Sequence, residues 1–195
     1  MFVRSWMSAP AVVIAPTETV RAADVVMDLH KVRRLLVVEN GRLVGIVTRT
    51  DLAAAGNREK RVGDVMAQSP YQVAPDETLE GAAKLMFANK ISGLPVVEEG
   101  HVKGVITESD VFRALVSMMG FGEPGARVSL TVPEGEDVIA VIARKVEGRQ
   151  LRSLVTWHDG PNNQWQVTIR MRGKEADERK RKASRQRDRE VASPE

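Results

Sequence analysis

Two stretches of this chain repeat each other at a fixed offset, and that duplication constrains the fold more than any other feature. Gly45-Ile46-Val47-Thr48-Arg49-Thr50-Asp51 returns 59 residues later as Gly104-Val105-Ile106-Thr107-Glu108-Ser109-Asp110. Both copies read glycine, two β-branched apolar residues, threonine, two variable positions and aspartate. Valine and isoleucine suit a strand covered on both faces. Threonine is a good helix N-cap, and an acid three places on completes a capping box and faces the positive end of the helix dipole. Each copy therefore predicts a buried strand that feeds straight into a helix, with backbone N–H groups free at the helix start to receive a phosphate. One Thr-x-x-Asp cap occurs in many helices that bind nothing; two in matching contexts point to a paired site.

The same offset aligns Val3 with Val62, Met7 with Met66, Pro16 with Pro75, Thr19 with Thr78, Met27 with Met86, Leu35 with Leu94, Val37-Val38 with Val96-Val97 and Gly41 with Gly100. Roughly a third of about fifty positions are identical, far above chance, which marks an internal duplication. Two repeats are too few for a solenoid, so a pair packed about a pseudo-two-fold axis is expected. The first repeat reads as a short lead-in helix or turn at 3–7, strand 12–14, helix 20–30, strand 35–38, a tight turn at Asn40-Gly41, strand 43–48 and a last helix that stops at Gly56. The second reads as strand 71–73, helix 79–89, strand 94–97, turn Glu99-Gly100, strand 102–107 and a helix to 119. Each repeat is β-α-β-β-α, and neither alone can cover both faces of its small sheet.

Bulk properties narrow the function. The 195 residues carry 29 Lys and Arg against 26 Asp and Glu, a net charge of +3 that demands no nucleic-acid partner. Cysteine is absent, which removes disulfides, thiolate nucleophiles and Cys-ligated zinc. Met1-Phe2-Val3-Arg4-Ser5-Trp6 opens no signal peptide, and no apolar run approaches the ~18 residues of a membrane span, so a cytoplasmic protein without membrane segments is expected. His30, His101 and His158 lie far apart near turns or helix ends, without metal-ligand spacing. No catalytic constellation accompanies them, and a non-enzyme is expected.

The pattern over residues 3–119 resembles the CBS domain, and its duplicated form resembles the tandem CBS pair called a Bateman module. The residues that carry it are Val62-Gly63-Asp64-Val65-Met66, Ile91-Ser92-Gly93-Leu94-Pro95-Val96-Val97, the corresponding Val32-Arg33-Arg34-Leu35-Leu36-Val37-Val38, and the two Gly-to-Asp segments. The resemblance implies clefts between the repeats that take AMP, ADP, ATP or another adenosyl compound as a regulatory ligand, with no cofactor required. Carried over by position, Asp51 and Asp110 accept hydrogen bonds from ribose hydroxyls and Thr48 and Thr107 donate to phosphate. Ile46 and Val105 flank the base, Arg33 and Arg34 meet phosphate, and Ser92-Gly93 lets the ligand approach the backbone. Grouped by repeat, Arg33, Arg34 and Arg49 accompany Asp51, whereas Ser92, Gly93 and Glu108 accompany Asp110; clefts of the family draw residues from both repeats, so service of the other site by Arg33 or Arg34 is the alternative. On the grouping by repeat, the Asp51 cleft is expected to favour phosphorylated nucleotides.

The resemblance also implies a homodimer built through helices, with Val111, Phe112, Leu115, Val116, Met118 and Met119 as its apolar surface. The function implied is a regulatory, ligand-sensing module that passes binding on as a conformational shift to a protein partner. A constitutive protein-interaction module with empty clefts is the alternative.

Beyond residue 119 the periodicity changes. Gly120, Gly122 and Gly125 satisfy G-x-G-x-x-G, but they follow a helix and precede a strand, the reverse of a dinucleotide site, so a linker over 120–126 is predicted. Strand 127–132, helix 137–146 and strands 151–157 and 164–171 follow. This β-α-β-β order resembles the first two-thirds of a ferredoxin-like ACT domain, with Gly148-Arg149-Gln150-Leu151-Arg152-Ser153-Leu154 as the best local match. A CBS pair followed by such a unit is similar to acetoin-utilisation-type proteins. The turn Pro133-Glu134-Gly135-Glu136 departs from that pattern and no final strand is visible. From Lys174 the chain holds eight basic and six acidic residues and little apolar surface, which predicts disorder or a solvated helix. Its mixed charge and lack of aromatics argue against a nucleic-acid arm. The expected fold is α+β, divided as CBS repeats at 1–59 and 60–119, linker, partial ACT-like unit at 127–173 and polar tail at 174–195.

Overall fold

The protein is described by a computed structural model over residues 1–122 and 124–172. It divides into two compact units that part between Ala114 and Leu115. In the first unit, β1 (Val13–Ile14), α1 (Val20–Leu29), β2 (Arg34–Glu39), β3 (Arg42–Thr48) and α2 (Arg49–Ala54) form one repeat. β4 (Ala67–Gln68), α3 (Leu79–Asn89), β5 (Gly93–Glu98), β6 (His101–Thr107) and α4 (Glu108–Met118) form the other. The hairpins turn at Asn40-Gly41 and Glu99-Gly100, where both residues of each pair hold positive φ, the geometry of the primed turns that suit twisted strands. Thr19 and Thr78 cap α1 and α3 through their hydroxyl oxygens.

The strands make one sheet in the order β1-β2-β3-β6-β5, with β4 added to β3. The two hairpins meet at a single pairing, Arg42 with His101, and the duplicated halves lie on either side of it. The strand expected at 71–73 reduces to a single bridge on this sheet. Only Val73 bridges, to Val96, while Tyr71 and Gln72 are exposed. Pro70 and Pro75 flank the segment, and their missing N–H groups leave little to pair. The short β4, which pairs Gly45 and Ile46, stands just before it and had no alternation to announce it.

Each repeat's lead-in segment completes the other repeat's core. Val3, in a 3₁₀ turn over Val3–Ser5, is buried among Leu79, Ala82, Met86, Leu94 and Ile106. Its N–H donates to the Glu77 carbonyl, and the Arg4 N–H to that of Pro75. Val62, its twin, is buried with Val20, Met27, Leu35 and Val47, and its N–H donates to the Glu18 carbonyl. This exchange answers the problem of two half-covered sheets. Met27 and Met86, both essentially inaccessible, fill equivalent places in the two cores, and burial of such a side chain stabilises by about 1.5–3 kcal/mol.

The same segments explain the glycines of the repeated motif. Ser8 pairs with Val105 through both backbone hydrogen bonds, and a Cβ on Gly104 would lie 2.6 Å from the Ser8 carbonyl oxygen. A Cβ on Gly45 would lie 2.4 Å from the Met66 sulfur and 2.9 Å from the Ala67 carbonyl oxygen. Close backbone approach, rather than unusual dihedrals, demands glycine there.

The second unit contains β7 (Gly125–Pro133), α5 (Val138–Val146), β8 (Leu151–Asp159) and β9 (Gln164–Arg172), with strand order β7-β9-β8, all antiparallel. Val132, Ile142, Val167, Ile169 and Met171 form its core. Asp137 caps α5 by accepting from the Ala140 N–H. The polar tail expected over 174–195 lies outside the described residues.

Candidate functional site

The paired strand-to-helix junctions are built alike. Thr48 and Asp51 form a reciprocal capping box: Asp51 Oδ2 accepts from the Thr48 backbone N–H at 2.8 Å and from its hydroxyl at 2.7 Å. Asp110 Oδ2 accepts from the Thr107 N–H at 2.9 Å and its hydroxyl at 2.6 Å. Each threonine hydroxyl has one hydrogen, and in both junctions it is committed to the aspartate. Donation to a phosphate requires that bond to open, so the threonines act here as caps.

Two clefts flank the sheet, each assembled from both repeats. The first, about 500 Å³, gathers Ile46, Thr48 and Asp51 from the first repeat with Ser92, Gly93, Tyr71 and Lys90 from the second. The second, about 530 Å³, gathers Val105, Thr107, Glu108 and Asp110 with Lys31, Arg33 and the lead-in residues Ser8 and Pro10. Arg34 lines both. All ten residues singled out in the sequence thus border a cleft, but their grouping differs from the expectation. Arg33 belongs with Asp110, not Asp51, Gly93 belongs with Asp51, and Ser92 borders both clefts. The reason is topological: the hairpins abut at the Arg42–His101 pairing, so the entrance to each strand β2 or β5 faces the helix start of the opposite repeat. Arg49 leaves the site, forming ion pairs with Asp24 at 3.1 Å and with Asp28 on α1. The expectation that arginines concentrate around Asp51 is therefore corrected.

The aspartates also differ. Asp110 is buried, and its Oδ1 accepts from Arg113 Nη2 at 2.7 Å; the same nitrogen donates to the Trp6 carbonyl at 3.0 Å. The position equivalent to Arg113 is Ala54. Asp51 is half-exposed, and among the described residues nothing engages its Oδ1. That oxygen is open to a ligand hydroxyl, whereas that of Asp110 already accepts one bond, from Arg113, and has one lone pair left. Tyr71, Lys90 and Lys31 are cleft residues that sequence reasoning missed; they lie in irregular segments or at a helix end, without periodicity to place them.

Arg34 is half-buried between the clefts. Its Nη2 donates to Ser92 Oγ at 2.7 Å. Burial lowers its pKa from the ordinary guanidinium value, and the negative charge of Glu108 opposes that shift. Among the described residues no cluster of acids and histidines is placed to hold a metal, and no helix is long and apolar enough to cross a membrane.

Two clefts of similar size on a pseudo-symmetric pair of β-α-β-β-α repeats define the fold class. The CBS domain family matches residues 3–58 and 62–117, and the chain belongs to that family as a tandem pair. It is similar to inosine-5′-monophosphate dehydrogenase of Korarchaeum cryptofilum, 38% identical over 109 residues, or 55% of this chain and 23% of the relative. The enzyme of that name from Methanocaldococcus jannaschii is 36% identical over 104 residues, 52% of this chain and 21% of the relative. The chain thus spans less than a quarter of the length of these curated relatives. Among solved structures it is similar to AcuB from Vibrio cholerae, with TM-score 0.58 and 30% identity over 64% of this chain and 98% of that one. The CBS pair of protein MJ0100, in complex with 5′-methylthioadenosine and S-adenosyl-L-methionine, gives 0.57 and 28% over 60% and 97%. CBSX2 in complex with AMP gives 0.56 and 32% over 60% and 96%.

Proposed function

We propose that the first unit is a regulatory, ligand-sensing module that binds adenine nucleotides or adenosyl ligands in the two clefts. The observation that carries this is the construction of each cleft: a capped Thr-Asp junction from one repeat faces a polar turn-strand segment from the other, with a guanidinium between them. Both cavities fall in the ~300–1,000 Å³ range of small-molecule sites. The relatives bound to AMP, or to S-adenosyl-L-methionine and 5′-methylthioadenosine, support the ligand class. Asp51 accepts from ribose, Arg33, Arg34, Lys31 and Lys90 meet phosphate, Ile46 and Val105 lie against the base, and Ser92-Gly93 admits the ligand to the backbone.

Because each cleft uses both repeats, a bound ligand stabilises one relative orientation of them and shifts the population presented to a protein partner. The role is regulatory rather than catalytic, and cytoplasmic, where such ligands are found. Residues 127–173 act as a partial ACT-like unit; the β7-β9-β8 order with its single helix supports that reading, and β7 begins at Gly125, within the linker expected over 120–126. The chain works as a homodimer, with Val25 and Leu29 on α1, Phe87 on α3 and Phe112 on α4, all more than half exposed, as the surface that a second copy covers. Light scattering at tens of micromolar that gives a monomer mass refutes the dimer.

Thermal unfolding with AMP, ADP, ATP, NAD and S-adenosylmethionine tests the central reading. Binding to the native state alone stabilises by ~2.7 kcal/mol at a hundredfold excess over Kd. At least one ligand is expected to raise Tm by several degrees. A flat response to the panel refutes ligand sensing and leaves a constitutive interaction module.

A further inference from the structure

The duplication places Arg34 and Gly93 at equivalent positions, and the structure brings them into contact. A residue that touches its own symmetry mate lies at the pseudo-two-fold axis, where two identical side chains would collide. The arginine occupies that space: a Cβ on Gly93 would lie 2.3 Å from Arg34 Nη1 and 3.0 Å from its Cζ. Ser92, the equivalent of Arg33, holds the guanidinium by its hydroxyl at 2.7 Å. The axis therefore has room for one long side chain, and that side chain forms part of the wall of both cavities. Lys90 serves the Asp51 cleft alone, and Lys31 and Arg33 the Asp110 cleft alone.

We infer that Arg34 is a single phosphate ligand shared by the two clefts, so that a phosphorylated nucleotide in one weakens phosphate binding in the other. The inference rests on the nucleotide reading proposed above. A guanidinium makes its strongest contacts as a planar fork to one anion, and with one nitrogen already on Ser92 it presents that fork to one cleft at a time. The charge sits in a partly desolvated place, where burial disfavours it and Glu108 gives back part of the loss. A first phosphate relieves that strain and leaves less to gain from a second. The unshared cations set the intrinsic strength of each cleft, and Arg34 sets the coupling.

Calorimetric titration of AMP into the full chain tests this, with Asp51→Ala and Asp110→Ala each weakening one cleft, and Arg34→Gln and Arg33→Gln compared alongside. One charge-assisted contact corresponds to about a tenfold change in affinity. The wild type is expected to fill its second site about tenfold more weakly than the same cleft binds in the single-cleft variant. In Arg34→Gln the first step weakens and the coupling falls toward unity; in Arg33→Gln the Asp110 cleft weakens and the coupling stays. Arg34→Lys, which keeps the charge without the fork, replaces the glutamine variant if that one does not unfold cooperatively, and is also expected to lower the coupling. A wild type that takes one AMP, while each single-cleft variant also takes one, shows full exclusion and supports the inference. If just one of those variants binds, one cleft takes no nucleotide and the inference is overturned. Undiminished coupling in the Arg34 variants overturns it as well, because repulsion between the two phosphates then suffices. Two independent sites in the wild type overturn the sharing alone, whereas no binding of any ligand in the panel refutes the nucleotide reading itself.

Discussion

Removing the two cap aspartates separates a shared role from a private one. Asp51→Ala deletes a capping box on a half-exposed helix start; the Thr48 N–H loses its partner, and the cost is ~1 kcal/mol. Asp110→Ala deletes the same box and also the bond from Arg113 at 2.7 Å. The Asp110 side chain is 8% exposed but Arg113 is 60% exposed, so the usual ~1.5–3 kcal/mol of a charged hydrogen bond is reduced by solvent screening to ~1–1.5 kcal/mol. Arg113 also loses the carboxylate that holds it against the Trp6 carbonyl, where the lead-in segment crosses into the second repeat. The expected total is ~2–3 kcal/mol for Asp110→Ala against ~1 for Asp51→Ala. For a unit of this size that is about 10 °C and about 5 °C in Tm. Urea unfolding with Trp6 as reporter, in a Trp157→Phe and Trp165→Phe background, reads the first unit. Arg113→Ala closes a double-mutant cycle and is expected to reduce the Asp110→Ala cost to that of Asp51→Ala. Equal losses for the two aspartates, or a gap that survives Arg113→Ala, would refute the reasoning.

Two other outcomes follow from contacts already described. Gly104→Ala forces a Cβ against the Ser8 carbonyl, which is part of a backbone pairing and cannot swing aside; a loss of ~2 kcal/mol or more is expected by denaturant titration, whereas Gly93→Ala presses mainly on the mobile end of Arg34 and should cost less while breaking the contact with Ser92. In the second unit, the Asn162 side-chain amide holds the Asp159 carboxyl below the ordinary aspartate pKa, so Asp159 adds stability above the unfolded pKa that is lost as pH falls through the folded one; an NMR titration of Asn162→Ala should move the Asp159 pKa upward, and an unchanged value contradicts the assignment.

The fold of the first unit was legible because it is written twice. Valine and isoleucine runs, Thr-x-x-Asp caps and Asn-Gly or Glu-Gly turns gave the helices and hairpins to within one or two residues, and an offset of 59 residues tied each element to a partner. What could not be read was which half of one repeat faces which half of the other. Arg33 and Asp51 are close in sequence, and nothing in their spacing says that the arginine points into the cleft of Asp110. The lead-in exchange was hidden for the same reason: Val3 looks like the start of its own repeat, yet it fills the core of the second. Arg113 escaped notice because its twin is alanine. A search guided by repetition finds what the copies share and passes over what one copy lacks.

That bias matters because the shared residues build the clefts and the unshared ones distinguish them. A strictly symmetric pair would carry two arginines at the axis, which would set two guanidinium charges against each other in the space Arg34 fills beside Gly93, or two glycines, which would leave both clefts without a central cation. One of each is the arrangement that packs and still supplies charge. The other asymmetries then sort by chemistry. Arg113 engages Asp110 and Asp51 keeps an open carboxylate oxygen, so the proposed ligand reading predicts stronger hydroxyl recognition at the Asp51 cleft. Lys31 and Arg33 outnumber Glu108 at the Asp110 cleft, whose own carboxylate is balanced by Arg113, so the same reading predicts stronger phosphate recognition there. Differences of one charge-assisted bond are enough to set the filling order. Duplication left two cavities of similar size, and a few unpaired substitutions gave them linings of different charge.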